Sequence, residues 1–326
     1  MAMNTTRRNF IYTGTAAAVG GCNPQSSTST QSEQQKQSEQ PKQSPAAPVP
    51  AESRPSDAIA EWQKETDLVA SHIYGAYMRD GKTRGLASLE KLENSFKNVY
   101  REALDTKVDD VPAVWSVYNM GYIVKSRKAM FCIDLVHRRE KEFAPYLDFA
   151  LITHNHGDHW RAPLYQALNS AGKTVISNFL DNYGAAHPWK KNGGFTRARK
   201  TFKIKDVEIR TSLIDHNDYL IDFTTAFEIR IGDFILYHTG DSGRGTEEKL
   251  VTTWGHPDLW LFFPGCGIDV AKAVEKVGAK RIVFGHLWEL GHKTGRLNEP
   301  LIRRALEKAK PKCQDVSVAF WGDRII

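Results

Sequence analysis

The stretch that most constrains this chain is Phe149-Ala150-Leu151-Ile152-Thr153-His154-Asn155-His156-Gly157-Asp158-His159-Trp160. It opens on apolar residues that read as a buried strand. It ends in a His-x-His-x-Asp-His pattern. Neutral imidazoles and a carboxylate are the ligand types that suit zinc and related divalent cations. A tight loop after a strand can turn His154 and His156 toward one cation and Asp158 and His159 toward a second. Gly157 is expected to let the backbone bend between them.

This pattern after an apolar strand resembles the metallo-β-lactamase superfamily, and the resemblance runs from about Val111 to the C-terminus. It implies three more ligands in chain order. His216 follows Ser212-Leu213-Ile214-Asp215, Asp241 follows Tyr237-His238-Thr239-Gly240, and His286 follows Ile282-Val283-Phe284-Gly285. By this resemblance the first cation takes His154, His156 and His216. The second takes Asp158, His159 and His286, and Asp241 serves both. The implied cofactors are two divalent metal ions, zinc by ligand type, with Mn²⁺ or Fe²⁺ as alternatives. The implied fold is an αββα four-layer sandwich, here preceded by a helical N-terminal segment. The expected domain spans 111–326.

Two metals about 3.5–4 Å apart can share a hydroxide of near-neutral pKa. Asp158 is then both ligand and proton carrier. Groups behind the ligands must orient the imidazoles. Asp134, at the end of the strand before the ligand-bearing one, is the first candidate, with His238 and Asp215 after it. His292 is a candidate for substrate contact. Cys266, between two glycines, reads as a neighbour of the site, and His72, His137 and His256 as structural residues.

The resemblance also narrows the reaction. His156 stands where redox di-iron members of the superfamily carry a carboxylate, and Asp241 where true β-lactamases usually carry Cys or Ser. The stretch Thr224–Asp241 is similar to the subgroup of lactonases and N-acylphosphatidylethanolamine phospholipase D. The implied activity is hydrolysis of an ester, lactone or phosphodiester, on a small-molecule or lipid substrate. The alternative is a non-catalytic zinc-binding or sensing lipoprotein.

The N-terminus reads as targeting sequence. Arg7-Arg8-Asn9-Phe10-Ile11 is a twin-arginine pattern before a mildly apolar run, and Val19-Gly20-Gly21-Cys22 resembles a lipoprotein cleavage box. Residues 1–21 are expected to be a signal peptide, with Cys22 lipidated and the protein held at the cell envelope. If the cell has two membranes, Asn23 points to the outer one. Residues 22–56, rich in Gln, Ser and Pro, cannot bury enough apolar surface to fold. They would form a tether spanning about 30 Å.

Residues 57–110 read as two helices that pack on the core, the first carrying Ile59, Trp62, Leu68, Val69, Ile73 and Tyr77. The chain has 41% hydrophobic and 25% charged residues and a net charge of +6. It shows no basic cluster interleaved with aromatics, so no nucleic-acid partner is expected.

Overall fold

The computed structural model describes residues 56–179, 200–290 and 297–326, with the backbone of a two-residue hairpin between the first two spans, Lys190–Lys191 (β6) and Gly194–Phe195 (β7). The expected signal peptide (1–21), the expected tether apart from Ser56, Cys22 and His292 lie outside the described residues. Among the described residues no helix is long and apolar enough to cross a membrane.

Three helices precede the sheets: α1 (Ser56–Asp67), α2 (Ser71–Asp80) and α3 (Ala87–Asp105). The expectation of two was wrong at one point. The chain leaves helix at Leu68, which is exposed, and re-enters at Ser71. Thr66 Oγ1 bonds back to the Trp62 and Gln63 carbonyls, and the Val69 N–H donates to the Thr66 carbonyl. This closes the first helix locally. The apolar spacing spans the break because Ile59, Val69 and Tyr77 enter one core.

The first sheet has the order β1 (Ala113–Tyr118), β2 (Gly121–Lys125), β3 (Met130–Ile133), β4 (Phe149–Leu151), β5 (Thr174–Ile176). It begins antiparallel and ends parallel, from β3 onward. The helix α4 (Ala162–Ser170), with Pro163 in its first turn, makes the crossover from β4 to β5. The second sheet contains β8 (Lys200–Ile204), β9 (Val207–Ile214), β10 (Thr224–Ile231), β11 (Phe234–His238), β12 (Leu259–Phe262), β13 (Arg281–Phe284) and β14 (Asp315–Val318), paired in chain order. It too begins antiparallel, and it becomes parallel from β11. Helices α5 (Val270–Val277) and α6 (Glu299–Ala309) belong to this half. Asp269 and Asn298 cap them by accepting bonds from Lys272 N and Leu301 N.

The central strands are buried along both faces, as sheets between helical layers must be. The sheets face one another: Tyr122 of β2 meets His238 of β11 with ring centroids 5.7 Å apart. The C-terminal residues join them, since Ser116 N donates to Asp323 O and Ile325 N to Val114 O. The architecture is the four-layer αββα sandwich.

The N-terminal helices share this core. Leu89, Leu92, Phe96 and Val99 of α3 are buried in it. A polar cluster pins them to the segment after β3. Glu93 accepts from Tyr77 Oη (2.9 Å), Arg138 Nε (2.9 Å) and Arg139 Nη1 (3.1 Å). His137 stacks on Phe96 at 4.1 Å, and its Nε2 lies 3.0 Å from Tyr77 Oη. Burial alone would raise the Glu93 pKa, but the bonds from Arg138, Tyr77 and Arg139 outweigh it and bring it to about 2. A carboxyl with a depressed folded-state pKa stabilises the fold above its ordinary value and loses that contribution as pH falls toward 2. Glu93→Gln is therefore expected to cost about 1–3 kcal/mol at neutral pH. The gap to wild type should close between pH 4.5 and 2 in denaturant titrations. A pH-independent gap would contradict the ion-pair assignment.

Candidate metal centre

Four strand ends converge on one edge of the sandwich. The loop after β4 carries His154, His156, Asp158 and His159; His216 follows β9, Asp241 follows β11 and His286 follows β13. The carboxyl ends of strands are where open α/β sheets leave a crevice for ligands.

The seven side chains form two groups able to hold a cation, His154, His156, His216 and Asp241 in one and Asp158, His159, His286 and Asp241 in the other. Within each, one donor atom per residue lies within 4.8 Å of all the others. Asp241 is common to both and divides its oxygens between them. Its Oδ2 is 3.3 Å from His216 Nε2 and 4.0 Å from His154 Nε2. Its Oδ1 is 3.3 Å from His159 Nε2 and 3.5 Å from His286 Nε2. Asp158 Oδ2 lies 2.8 Å from His286 Nε2 and 3.3 Å from His159 Nε2.

The donor set fits divalent metal. His154 Nε2, His216 Nε2 and Asp241 Oδ1 are buried polar atoms without a hydrogen-bond partner. A cation at each group would satisfy them. The two groups also differ electrically. Burial, followed by the neighbouring His159, drives the His154 pKa well below the usual range, and burial lowers that of His156. At His159 burial acts in the same direction, but Asp241, Asp158 and Asp134 overcome it and the pKa is raised. His286 is likewise pushed up to about 9 against its burial, by Asp241 and Asp158. Asp158 and Asp241 are held well below the carboxylate range despite burial, by the imidazoles around them.

Asp134 stands behind the metal loop and is fully buried. Its Oδ1 accepts from Thr153 N (2.7 Å); its Oδ2 accepts from Thr153 Oγ1 (2.6 Å) and meets His159 Nδ1 (2.8 Å). Thr153 Oγ1 is also 3.0 Å from His154 Nδ1. One carboxylate thus orients one imidazole in each group, directly at His159 and through Thr153 at His154. Asp134 itself has φ 44°, a left-handed backbone uncommon outside glycine. His286, at φ 60°, shares that feature, and its ring stacks on Phe263 at 4.4 Å.

The other candidates take different roles. His238 touches none of the ligand rings; its Nδ1 accepts from Gly240 N and its Nε2 meets the Met120 carbonyl. It therefore shapes the turn into Asp241. Asp215 also contacts no imidazole, accepting instead from Lys249 Nζ (2.6 Å) and Asp222 N (2.8 Å). Cys266 is a neighbour whose thiol pKa is raised by burial and then by Asp241. His137 and His256 make packing and backbone contacts, and His72 is exposed.

The expectation for Gly157 fails. Its φ is outside the left-handed region, and a Cβ there would meet nothing within 4 Å. The glycine the loop needs is Gly240, at φ 51°, where a Cβ would come within 2.8 Å of the Thr153 side chain. Sequence reasoning also missed Thr153 and Phe223. Thr153 adjoins the first ligand, which was its one signal. Phe223, whose ring lies 5.2 to 5.9 Å from those of His154, His156 and His216, has none.

No family model matches the sequence. Over 150 residues the chain is 29% identical to a protein of Carboxydothermus hydrogenoformans named a UPF0173 metal-dependent hydrolase, which covers 43% of this chain and 66% of that one. A protein of the same name from Caldivirga maquilingensis is 26% identical over 147 residues, 43% of this chain and 64% of that one. The chain thus spans just under two thirds of the length of these curated relatives. Among solved structures, the metallo-beta-lactamase fold protein YhfI of Bacillus subtilis aligns with a TM-score of 0.46 and 17% identity, over 66% of this chain and 98% of that one.

Removing the Asp134 carboxylate frees His159 and Thr153 together. Asp134→Asn is expected to weaken metal affinity about 10- to 100-fold, as read by competition with a chromophoric chelator. Gly157→Ala should leave affinity unchanged and stability within about 0.5 kcal/mol. Equal affinities for Asp134→Asn and wild type would remove Asp134 from this role.

Proposed function

We propose that this protein is a metal-dependent hydrolase that works with two divalent cations on an ester, lactone or phosphodiester. The observation that carries the reading is the split of Asp241, with one carboxylate oxygen toward each imidazole group. A single-cation site has no need of that arrangement. The names of the relatives, metal-dependent hydrolases, point the same way.

His154, His156 and His216 would hold one cation and Asp158, His159 and His286 the other, with Asp241 between them. When bound, the cations supply Lewis acidity and lower the pKa of water toward neutrality. The chain's own residues do the rest. Asp134 and Thr153 hold the imidazoles at the tautomer that leaves Nε2 free for a metal. Asp158 and His156 both line a cleft of about 500 Å³ beside Tyr74, Tyr118 and Glu289, and Asp158 brings the carboxylate to it. Ionised by its imidazole neighbours, it can take a proton from the attacking water and return it to the leaving group.

Metal analysis by mass spectrometry of chelator-free protein is expected to give about two ions per chain. Asp158→Ala and His156→Ala should each lower hydrolysis of an ester and phosphodiester panel by about 10²-fold or more, with circular dichroism unchanged. Full activity in both variants would end the assignment.

We infer further that the protein is exported by the twin-arginine route and anchored through a lipid on Cys22. The motifs Arg7-Arg8 and Gly20-Gly21-Cys22 support this. Such a route carries folded proteins, which suits a chain that collects metal before export. Cys22→Ala should move the protein from the membrane to the soluble fraction of cells. Unchanged membrane association would refute the anchor.

A further inference from the structure

The cleft beside Asp158 takes part of its lining from the metal loop itself. Four consecutive residues, Asn155, His156, Gly157 and Asp158, line it, and two of them belong to the candidate metal groups. Its volume of about 500 Å³ lies in the range of small-molecule sites, about 300–1,000 Å³. Tyr74, Tyr118, Glu289 and Leu290 complete the lining. The Tyr74 and Tyr118 hydroxyls bond one another, and Tyr118 Oη also accepts from Leu290 N (2.8 Å), so that part of the wall has partners of its own.

Asn155 is the loop residue in this lining that is neither a metal-group member nor a glycine, and it is exposed. Its side chain is nonetheless held. Asn155 Oδ1 accepts from Trp160 Nε1 at 2.9 Å, and the Trp160 ring packs on Phe179 with centroids 5.2 Å apart. An indole N–H can only donate, so the end of the amide that meets Trp160 must be the oxygen. The other end is then an NH₂ group. Among the described residues Asn155 Nδ2 makes no hydrogen bond. The loop therefore carries a neutral donor of fixed orientation next to two metal-group side chains. A donor fixed in advance stabilises charge on an oxygen without having to reorganise.

We propose that Asn155 contacts substrate, its Nδ2 donating to an oxygen of the scissile group, and that Trp160 is the positioning residue that decides which end of the amide the cleft receives. The proposal rests on the hydrolase reading for the identity of that group. Ester, lactone and phosphodiester all offer such an oxygen, and each gathers negative charge on it during attack by water.

The test is binding of inorganic phosphate to the metal-loaded full chain by titration calorimetry. Phosphate has the tetrahedral oxygens of a phosphodiester centre and of an ester under attack. Asn155→Ala is expected to weaken it about tenfold, the loss of one hydrogen bond to an anion. Asn155→Asp keeps an oxygen for Trp160 but has no donor, so it should bind phosphate at least as poorly as Asn155→Ala. Trp160→Phe keeps the donor and the ring but frees the amide, and should cost about threefold. Metal affinity, read by chelator competition, should match wild type in all three. An Asn155 that served only to hold Trp160 would give the opposite order, with Asn155→Asp like wild type and Trp160→Phe as weak as Asn155→Ala. That order, an Asn155→Ala affinity within twofold of wild type, or no detectable phosphate binding to wild type would overturn the proposal. Turnover of the ester and phosphodiester panel is a separate readout. The predicted binding order without turnover of any member would keep the contact and remove the hydrolase reading; turnover indifferent to Asn155→Ala would do the reverse.

Discussion

One buried carboxylate, Asp241, lies at the meeting point of five imidazoles. Each of its oxygens faces nitrogens from different strand ends. Bringing that many polar rings out of water is unfavourable unless each finds a partner. The arrangement is tolerable because Asp241 supplies charge to both groups at once, and because cations at the two groups would satisfy the buried His154 and His216 nitrogens that make no hydrogen bond. The rest of the structure can be understood as a means of delivering those side chains to one place.

The two sheets do this by ending their inner strands at a common edge. Strands buried on both faces are mostly apolar, so the ligand side chains come from the loops that follow. β4, β11 and β13 obey this, each passing from an apolar run to a ligand within a few residues. Asp134 uses the same logic one strand earlier. Its left-handed backbone turns the carboxylate under the metal loop, where it grips Thr153 from two sides. Strain at one residue is offset by three hydrogen-bonded contacts.

The N-terminal helices contribute to both core and site. Glu93, Tyr77 and the two arginines tie α2 and α3 to the segment between β3 and β4, which leads into the metal loop. Through Tyr74, α2 also forms part of the wall of the cleft beside Asp158. The helices thus influence the shape of the site without supplying a ligand to it. A second cleft, also reached from Asn155, is walled by Phe179, Leu213, Ile221 and Phe223 together with Asp222 and Asn178.

Much of this was legible in the chain. The sequence by itself determined the layered α/β class, the strand that ends in the His-x-His-x-Asp-His loop, and the residue types at the other strand ends. These depend on local pattern: apolar runs mark buried strands, and ligand types cluster where the runs stop. Asp134 was legible for the same reason, as a polar residue at a strand end beside the ligand-bearing strand. Tertiary structure alone decided what depends on approach across the sandwich. It gave Gly240, and not Gly157, the position where only glycine fits, because Thr153 packs there. It set His238 and Asp215 to backbone and lysine contacts away from the rings. It ended α1 at Asp67, although the apolar spacing runs on, because the helices turn to follow one core. It also brought Phe223 against three imidazoles. Contacts between residues tens of positions apart leave no periodic trace in a sequence, and only the packed molecule chooses among them.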